Sequence, residues 1–377
     1  MQSEKFKIKS IFKNMELENL KKRVENLLKK YNLCDTCLGR QFHELYPRSN
    51  EKLGRKLREM CGNYEKKGKC YLCNDIFSNI DEIIKKIRKK LKNYEFRTFV
   101  VGSKFPGELI SREEEIWEEN GIELCESIKT NFNKTVGTRL KKILRKKIKF
   151  ENPDIMIIVD LKDNKIDLQI SPLYIEGSYK KILPKGKVQR IIENILMKKS
   201  KASKVAFYSI GRLEENVVTS CYRPFGIKLK NPIKRRLNLR KVKEEINKSR
   251  EIKLGKLKYS TREKILELKR LNFNVSYLVV LELRKKLGKK EMEEIKKKLS
   301  KLKMISQTLK NKIRKNAIKI KKIKFENRKL TISLEAPKNF SINSFLKDSE
   351  PNLQEIINEE FKIEKIVIRS YRKLKNK

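Results

Sequence analysis

Two pairs of closely spaced cysteines constrain the fold of this chain more than any other feature. Cys34 and Cys37 form one C-x-x-C pair, Cys70 and Cys73 form a second, and 32 residues separate the pairs. Two residues between thiolates let one tight turn bring both sulfurs to a tetrahedral ion, and two turns complete a Zn–S₄ site. Such a site is closed, so its zinc would stabilise the fold and not catalyse. The alternative is a set of small buried thiols, and Cys61 is a spare that could replace one ligand.

The charge of the chain predicts an anionic partner. The 377 residues include 95 Lys and Arg against 47 Asp and Glu, which gives a net charge of +48. Part of this excess can reflect the codon usage of an AT-rich genome. Exposed cations nevertheless raise nucleic-acid affinity through counterion release, whatever their origin. We therefore expect RNA or DNA as the partner, with an acidic membrane surface a distant second.

The apolar pattern and the cysteine count indicate the compartment. No stretch approaches the roughly 18 uninterrupted apolar residues of a membrane-spanning helix, and the N-terminus lacks the apolar core of a signal peptide. Seven cysteines is an odd number, and four of them lie in the C-x-x-C pairs, which disfavours a secreted disulfide scaffold. The sequence predicts a soluble cytoplasmic protein in a reducing environment, with no membrane partner.

The hydrophobic periodicity predicts an α+β fold with two modules. Residues 14–31 and 80–91 carry apolar residues at helical spacing on either side of the cysteine pairs. The runs IMIIVDL and KIDLQIS are separated by a short turn and predict a β-hairpin, and KIKKIKF with KLTISLEA predicts a second. Further strands are predicted at KVAFYSIGR, YLVVLELR and KIVIRSYRK, and further helices at LPKGKVQRIIENILMKK and KKEMEEIKKKLSKL. We expect the main domain boundary near Pro172.

The single histidine and one basic segment are the remaining candidates for a functional role. His43 follows the first cysteine pair, but four thiolates already satisfy a zinc ion, and a lone histidine makes ordinary triad chemistry improbable. The segment KTNFNKTVGTRLKK places Lys129, Lys134 and Arg139 near a helix start, where amide N–H groups and cations can meet phosphate. The alternative for this segment is a solvated basic face. The sequence has no phosphate-binding P-loop and no dinucleotide-binding glycine pattern, so nothing supports nucleotide hydrolysis or a redox cofactor.

In their order, these segments resemble the archaeal and eukaryotic tRNA pseudouridine synthases of the Pus-ten type. The zinc knuckles correspond to CDTCLGRQF and CYLCND, and the THUMP domain to FVVGSKFPGEL, SIKTNFNKTVGTRL and NPDIMIIVDLKDNKIDLQISPLYIEGSY. The catalytic segment corresponds to FYSIGRLEENVVTSCYRPFGIKL, and the strand and helix after it to FNVSYLVVLELRKKLGKKEMEEIKKKLSKLKMISQT. The specificity of this resemblance lies in the ordered combination.

The resemblance implies three domains and one reaction. A zinc-binding region of helices and knuckles would span residues 1–92, a THUMP-like RNA-binding domain 93–172, and a mixed α/β pseudouridine-synthase-like catalytic domain 173–377. Such enzymes convert uridine 54 and uridine 55 of the tRNA T-loop to pseudouridine without an organic cofactor. An Asp attacks the flipped nucleotide, the glycosidic bond breaks, the base rotates, and C5 is joined to the ribose. The implied partner is the T-arm of tRNA and not DNA, and a monomer is the default.

Several family positions are kept, and the resemblance gives them roles. Gly211 and Arg212 match the family's G-R, and Arg223 begins its R-P-F. Arg212 would position the nucleophile and the backbone, and Arg223 would contribute to binding the substrate. Tyr277 falls where an aromatic residue packs on the target base.

Other family positions are changed. Four residues after G-R the family has its nucleophilic Asp, and this chain has Asn216, which is uncharged and a very poor nucleophile. In NFSINSF, which is similar to the family's Y-I-K-E-[FL] segment, Ser341 stands opposite the tyrosine of the substrate pocket. The family's G-R-Y reads Gly177, Ser178, Tyr179, and its G-R-T run is absent before the later proline. Glu214 and Glu215 adjoin Asn216, but each would need the backbone to shift.

Three functions remain as hypotheses. The first is an active tRNA pseudouridine synthase, which would be an isomerase. The second is a pseudoenzyme that keeps the tRNA-binding surface and acts as a binder or folding aid for the T-arm. Asn216 is the feature that separates these two. The third, a zinc-ribbon nucleic-acid adaptor unrelated to tRNA, is disfavoured because the catalytic-like segments follow in family order.

Overall fold

The computed structural model of the protein describes residues 14–46, 48–62, 64–65, 67–211, 213–309 and 312–374. The chain divides into two compact units, residues 1–171 and residues 172–377. The α+β class expected from the sequence is confirmed, since both units contain helices and sheets. Among the helices that the structure describes, none is long and apolar enough to cross a membrane.

Helices form the first half of the first unit and flank its sheet. They begin with the amphipathic helix that the sequence predicts, which buries Leu20, Val24 and Leu27. The helices are α1 (Asn14–Lys30), α2 (Asp35–Arg40), α3 (Asn50–Met60), α4 (Ile80–Leu91), α5 (Gly107–Asn120) and α6 (Ile128–Leu144). Helices α2 and α3 cross closely at Gly39 and Gly54. A Cβ atom at Gly39 would lie 1.8 Å from the carbonyl oxygen of Asn50, so the contact requires glycine.

A four-stranded sheet completes the first unit. Its strands are β1 (Thr98–Lys104), β2 (Lys147–Ile148), β3 (Ile155–Asp160) and β4 (Lys165–Ile170). They lie in the order β2-β1-β3-β4, with β1 parallel to both of its neighbours. Strands β3 and β4 form the predicted antiparallel hairpin. Phe99, Phe132 and Ile157 are fully buried between the sheet and its helices.

The second unit contains two larger sheets and a small hairpin. Its strands are β5 (Leu173–Lys181), β6 (Lys204–Ser209), β7 (Val217–Thr219), β8 (Arg223–Lys230), β9 (Ile252–Tyr259), β10 (Phe273–Leu283), β11 (Met304–Leu309), β12 (Lys312–Ala317), β13 (Lys319–Glu326), β14 (Lys329–Pro337) and β15 (Phe361–Lys373). One sheet has the order β6-β8-β5-β9 and the other β13-β14-β10-β15-β7, while β11 pairs with β12. The hairpin predicted from KIKKIKF and KLTISLEA is the antiparallel pair β13 and β14.

The helices of the second unit cover these sheets. They are α7 (Val188–Ser200), α8 (Leu239–Ile246), α9 (Arg262–Arg270), α10 (Lys289–Lys301), α11 (Ile342–Lys347) and α12 (Leu353–Ile357). The residues of strand β10 alternate strictly between buried and partly exposed along all eleven positions. One face of the strand is therefore apolar and must be covered by other elements. The buried face, from Phe273 to Leu283, packs in one core with α10, α11 and α12. The short strand β7 joins this sheet parallel to β15, and the loop before β7 holds the candidate site.

Candidate functional site

The four paired cysteines lie together in the first unit. Their sulfurs are all within 4.8 Å of one another, and the sulfurs of Cys34 and Cys73 are 3.8 Å apart. Cys34 caps the N-terminus of α2, and its sulfur accepts a hydrogen bond from the Cys37 amide at 3.4 Å. The Cys34 amide in turn donates to the sulfur of Cys70 at 3.3 Å. The two pairs predicted from spacing therefore form one group.

The donor set fits a tetrahedral metal ion. With metal–sulfur bonds of about 2.3 Å, the edge of a sulfur tetrahedron is about 3.8 Å, which agrees with the Cys34–Cys73 separation. Four thiolates suit a soft or borderline ion such as zinc and leave no open coordination position. Cys61 is separate from this group: it follows α3, and its thiol faces the carbonyl oxygen of Lys21 at 3.7 Å.

A fully buried arginine lies against the cysteine group. The Arg40 side chain is completely buried and pairs with Glu113, whose side chain is 3% exposed. Burial lowers the pKa of Arg40, but the nearby Cys37 and Glu113 outweigh that effect and raise it above its usual value. A guanidinium at this place would offset part of the net negative charge that four thiolates keep after they bind one divalent ion.

His43 belongs to a buried polar network and not to the cysteine group. Its Nδ1 lies 2.7 Å from Oδ1 of Asn50, and Nδ2 of Asn50 donates to Oε2 of Glu126 at 2.7 Å. Asn131 donates to the same carboxylate oxygen at 3.0 Å. The network ties α3 to the first turn of α6, and this position accounts for the histidine without a metal.

The three cations singled out in the sequence all lie on α6. Lys129 is exposed, Nζ of Lys134 lies 3.5 Å from Oε1 of Glu126, and Arg139 pairs with Asp81 at 2.8 Å. Lys134 and Arg139 also line a pocket of about 260 Å³. The helix therefore presents cations on its solvent side, and two of them have acidic neighbours.

In the second unit, a tight turn connects Gly211 to the start of β7 and carries Glu214 and Asn216. Gly211 has a φ of +53°, and a Cβ atom there would lie 2.8 Å from the carbonyl oxygen of Lys338, so the turn favours glycine. Arg212, the next residue of the G-R pair, lies outside the described residues. The amide of Val217 donates to the Glu214 carbonyl oxygen at 3.2 Å, which closes a four-residue turn.

A lysine from β5 holds this turn in place. Nζ of Lys181 donates to the carbonyl oxygen of Glu215 at 2.5 Å and to that of Glu214 at 3.3 Å. Burial lowers the pKa of Lys181, and the nearby carboxylates Glu215 and Glu251 act in the opposite direction. Sequence reasoning missed Lys181, because its partners lie more than thirty residues later in the chain.

Asn216 is paired with a second asparagine. Its Nδ2 donates to Oδ1 of Asn343 at 2.7 Å, and Nδ2 of Asn343 donates back to Oδ1 of Asn216 at 3.0 Å. Asn343 stands two residues after Ser341, on α11. Both members of the pair are uncharged amides.

A glutamate connects this pair to Ser341. Oε1 of Glu214 accepts a hydrogen bond from Oγ of Ser341 at 2.6 Å, and Oε2 accepts one from the Asn343 amide at 3.0 Å. Ser341 is the buried N-cap of α11 and accepts from the Ser344 amide. The structure thus brings Asn216 and Ser341, which are 125 positions apart in the sequence, into one hydrogen-bonded cluster around Glu214.

Tyr277 lies close to this cluster inside the core. It is 3% exposed, and its ring centre is 5.7 Å from that of Phe340. Burial raises the pKa of Tyr277, and the nearby charge of Glu214 raises it further. A neutral aromatic side chain therefore adjoins the carboxylate.

Arg223 is a buried residue that holds the neighbouring loop through hydrogen bonds. It is 2% exposed, and its guanidinium donates to the carbonyl oxygens of Ile210 and Gly211, to Oγ of Ser209 at 3.0 Å and to Oη of Tyr371 at 2.9 Å. These contacts fix the backbone just before Arg212. The altered Gly177-Ser178-Tyr179 segment lies on β5, where Ser178 is opposite Pro224 and Tyr179 is buried.

Two clefts adjoin the turn. One, of about 580 Å³, is lined by Asn216, Lys181, Thr219 and part of β15. The other, of about 570 Å³, is lined by Tyr179, Lys181, Arg223 and the first turn of α7. Each is of the size that holds a small ligand or one extruded nucleotide.

Comparisons with known proteins agree with this architecture. Residues 83–160 match the family model described as "Pus10 THUMP domain, archaeal", and residues 164–369 match the model described as "Pus10, C-terminal". The tRNA pseudouridine synthase Pus10 of Pyrococcus furiosus is 31% identical over 292 residues, which cover 74% of this chain and 75% of that protein. The protein of the same name from Methanothermobacter marburgensis is 29% identical over 312 residues, covering 73% and 76%.

Similarity to solved structures is weaker. The archaeal box H/ACA sRNP Nop10–Cbf5 complex contains a chain that is 8% identical with a TM-score of 0.29. The alignment covers 51% of this chain and 47% of that one, so this chain spans about half the length of the solved structure. A score this low supports no structural argument.

The family models and the α+β units define a chain with an archaeal-type THUMP domain followed by a Pus10 C-terminal domain. The chain belongs to the Pus10 family.

Proposed function

We propose that this chain is a tRNA pseudouridine synthase that converts uridine 54, uridine 55 or both in the tRNA T-loop to pseudouridine. The observation that carries the proposal is the match of residues 164–369 to the Pus10 C-terminal domain, together with relatives that bear the name tRNA pseudouridine synthase. The reaction is an isomerisation and needs no organic cofactor. The carboxylate, tyrosine and amide groups around Asn216 are consistent with a site that works with protein side chains alone.

The residue roles follow the same proposal. Arg212 and Asn216 occupy family catalytic positions, and Tyr277, Ser341 and Arg223 occupy positions assigned to the substrate pocket. Burial of Tyr277, Ser341 and Arg223 supports indirect roles, because these side chains hold the pocket from within. Tyr277 would reach a base only if the extruded nucleotide entered the core beside Phe340.

The first unit would bind the tRNA. We assign residues 1–92 to a zinc-binding region and residues 93–172 to the THUMP-like domain, with the catalytic domain in 173–377. Zinc in the group of Cys34, Cys37, Cys70 and Cys73 would fix the two knuckles, and Lys129, Lys134 and Arg139 would contact the phosphate backbone of the T-arm. The net charge of +48 supports an RNA partner. A monomeric state and a cytoplasmic location stay predictions of the sequence.

The proposal is tested by mapping pseudouridine in tRNA transcripts after incubation with the purified full-length chain. A transcript with uridine at both T-loop positions should gain pseudouridine at one or both of them. Transcripts with cytidine at position 54, at position 55 or at both assign the target. A chain that binds tRNA with salt-dependent affinity but forms no pseudouridine would instead be the tRNA-binding pseudoenzyme, and a chain that does not bind tRNA would contradict both functions.

A further inference from the structure

Resting on the proposed function, we propose that the pocket beside α6 holds one unpaired nucleotide of the tRNA whose base is adenine or cytosine. The pocket has a volume of about 260 Å³, and its lining includes Asn131, Lys134 and Arg139. All of its lining residues belong to the first unit. The pocket is smaller than the roughly 300–1000 Å³ that holds a drug-sized ligand, so its size suits a single base.

Three helices form the walls of this pocket. Helix α6 lines it with residues 131, 134, 135, 138 and 139, which is the spacing of one helix face. Asn50 and Glu51 at the start of α3 line it as well, and so does Ile80 at the start of α4. The N-terminal end of a helix carries a partial positive charge, so the first turns of α3 and α4 favour an anionic group such as phosphate.

A buried acceptor without a donor lies in the α6 wall. The Asn131 side chain is 5% exposed, and its Nδ2 donates to Oε2 of Glu126 at 3.0 Å. Its Oδ1 has no hydrogen-bond partner among the residues that the structure describes. Turning the amide over would set Oδ1 against the Glu126 carboxylate, so the oxygen would still lack a donor. Such an acceptor is unfavourable, and a ligand in the pocket can supply the missing N–H group.

His43 adds a second acceptor to the lining. Nδ2 of Asn50 donates to Glu126, so Oδ1 of Asn50 accepts, and its contact with Nδ1 of His43 assigns the proton to Nδ1. Nε2 of the neutral histidine is then an acceptor. Adenine and cytosine present an amino group to acceptors of this kind, whereas guanine and uracil have a carbonyl oxygen at the corresponding position. The lining therefore favours the two amino-bearing bases.

Other lining residues suit the remainder of a nucleotide. The half-buried ring of Phe77 offers a face on which a base can stack. The side chains of Lys134 and Arg139 are 51% and 42% exposed. Arg139 pairs with Asp81, and such an exposed ion pair is weak enough to give way to a phosphate. A phosphate alone would leave Oδ1 of Asn131 without a donor, so the pocket fits a nucleotide better than a free phosphate.

The test is the binding of fluorescently labelled tetranucleotides to the full-length chain, measured by anisotropy at one salt concentration. The probes are tetracytidylate, tetraadenylate and tetrauridylate. We expect wild type to bind tetracytidylate, tetraadenylate or both at least about tenfold more tightly than tetrauridylate. Asn131→Leu removes the acceptor and should bring the three affinities to within about twofold of one another. The loss should fall on the amino-bearing probes and leave tetrauridylate unchanged.

Asn133→Leu is the matched control. Asn133 lies on the same helix, and its Oδ1 also lacks a partner among the described residues, but it does not line the pocket. This variant should keep the wild-type preference. If Asn131→Leu does not fold, substitutions of Phe77 decide the question. Phe77→Leu should weaken binding of the preferred probe at least about fivefold, and Phe77→Tyr should not, because only tyrosine keeps an aromatic face.

The results separate the pocket from the proposed function. Equal affinity of wild type for the three probes overturns the inference, and so does a preference that survives in Asn131→Leu. Loss of the preference in Asn133→Leu overturns it too, because the effect would then belong to the helix. Equal affinities of Phe77→Leu and Phe77→Tyr contradict the stacking role. Pseudouridine formation by wild type without the preference leaves the proposed function standing, and the preference without pseudouridine formation leaves the pocket standing.

Discussion

The side chains of Asn216 and Asn343 form a reciprocal amide pair, with donor–acceptor distances of 2.7 and 3.0 Å in the two directions. Each amide satisfies the other, so neither side chain needs a charge for its contact. The pair lies beside the Glu214 carboxylate, which contacts the backbone amide of Asn343. The pair therefore contributes no charge of its own beside that carboxylate.

Changing one member of the pair should destabilise the second unit, and changing both should restore it. Asn216→Asp places a carboxylate oxygen against Oδ1 of Asn343 and should cost about 1 kcal/mol of unfolding free energy. Asn343→Lys in the Asn216→Asp background creates an ion pair and should recover most of that loss. A double-mutant cycle from denaturant unfolding measures the coupling. Additive effects of the two substitutions would show that the side chains do not interact.

Metal removal should unfold the N-terminal region. Elemental analysis should find one zinc ion per chain, and Cys34→Ser or Cys70→Ser should lose it and expose the first unit to proteolysis, because closed thiolate sites stabilise folds. Cys61→Ser is the control and should keep one zinc ion, since Cys61 lies outside the four-cysteine group. Loss of zinc in Cys61→Ser with retention in Cys34→Ser would show that the ligand set is different.

Removing a cation of α6 should weaken tRNA binding in a salt-dependent way. Lys129 is exposed, so Lys129→Gln should lower the affinity and reduce the slope of log affinity against log salt by about one. Lys165→Gln serves as the control because Lys165 lies on β4 and not on α6. Binding isotherms at four potassium chloride concentrations provide the slopes. An unchanged slope for Lys129→Gln would remove α6 from the RNA-binding surface.

Alkaline pH should destabilise the chain through a tyrosine of β15. Burial raises the pKa of Tyr371 from 10.0 to about 12, against the opposing effect of Arg223. Because the native state holds this proton more tightly than the unfolded state, its contribution is present below pH 10 and is lost as pH rises through 12. Tyr371→Phe should therefore show a flatter loss of unfolding free energy between pH 10 and 12 than wild type. The control is Tyr222→Phe, which removes an exposed tyrosine. Its unfolding free energy should fall with pH as steeply as that of wild type.

Local patterns in the sequence predicted the parts of the structure that depend on local contacts. The spacing of Cys34, Cys37, Cys70 and Cys73 predicted their grouping, because each pair is formed by one short turn. The hairpin of β3 and β4 followed from two apolar runs around a short turn. By contrast, β5 was not assigned, since its partners β8 and β9 begin 50 and 79 residues after it begins and carry no local signal.

The sequence pointed to residues of the candidate site but did not predict which of them contact one another. Family order pointed to Asn216 and Ser341 separately, and Glu214 was considered too far along the loop. The place of Glu214 in the hydrogen-bonded cluster depends on contacts with Ser341 and Asn343, which are 127 and 129 residues away. No local pattern in the sequence links positions so far apart, so the hydrogen bonds of this cluster could not be predicted.

The central claim is that the chain isomerises a T-loop uridine. Tritium release from C5-labelled tRNA by the unaltered full-length protein tests it most directly. We expect wild type to release tritium from wild-type tRNA, and to release none from a transcript whose two T-loop uridines are replaced by cytidine. No release by wild type, with release by Asn216→Asp under the same conditions, would contradict the claim.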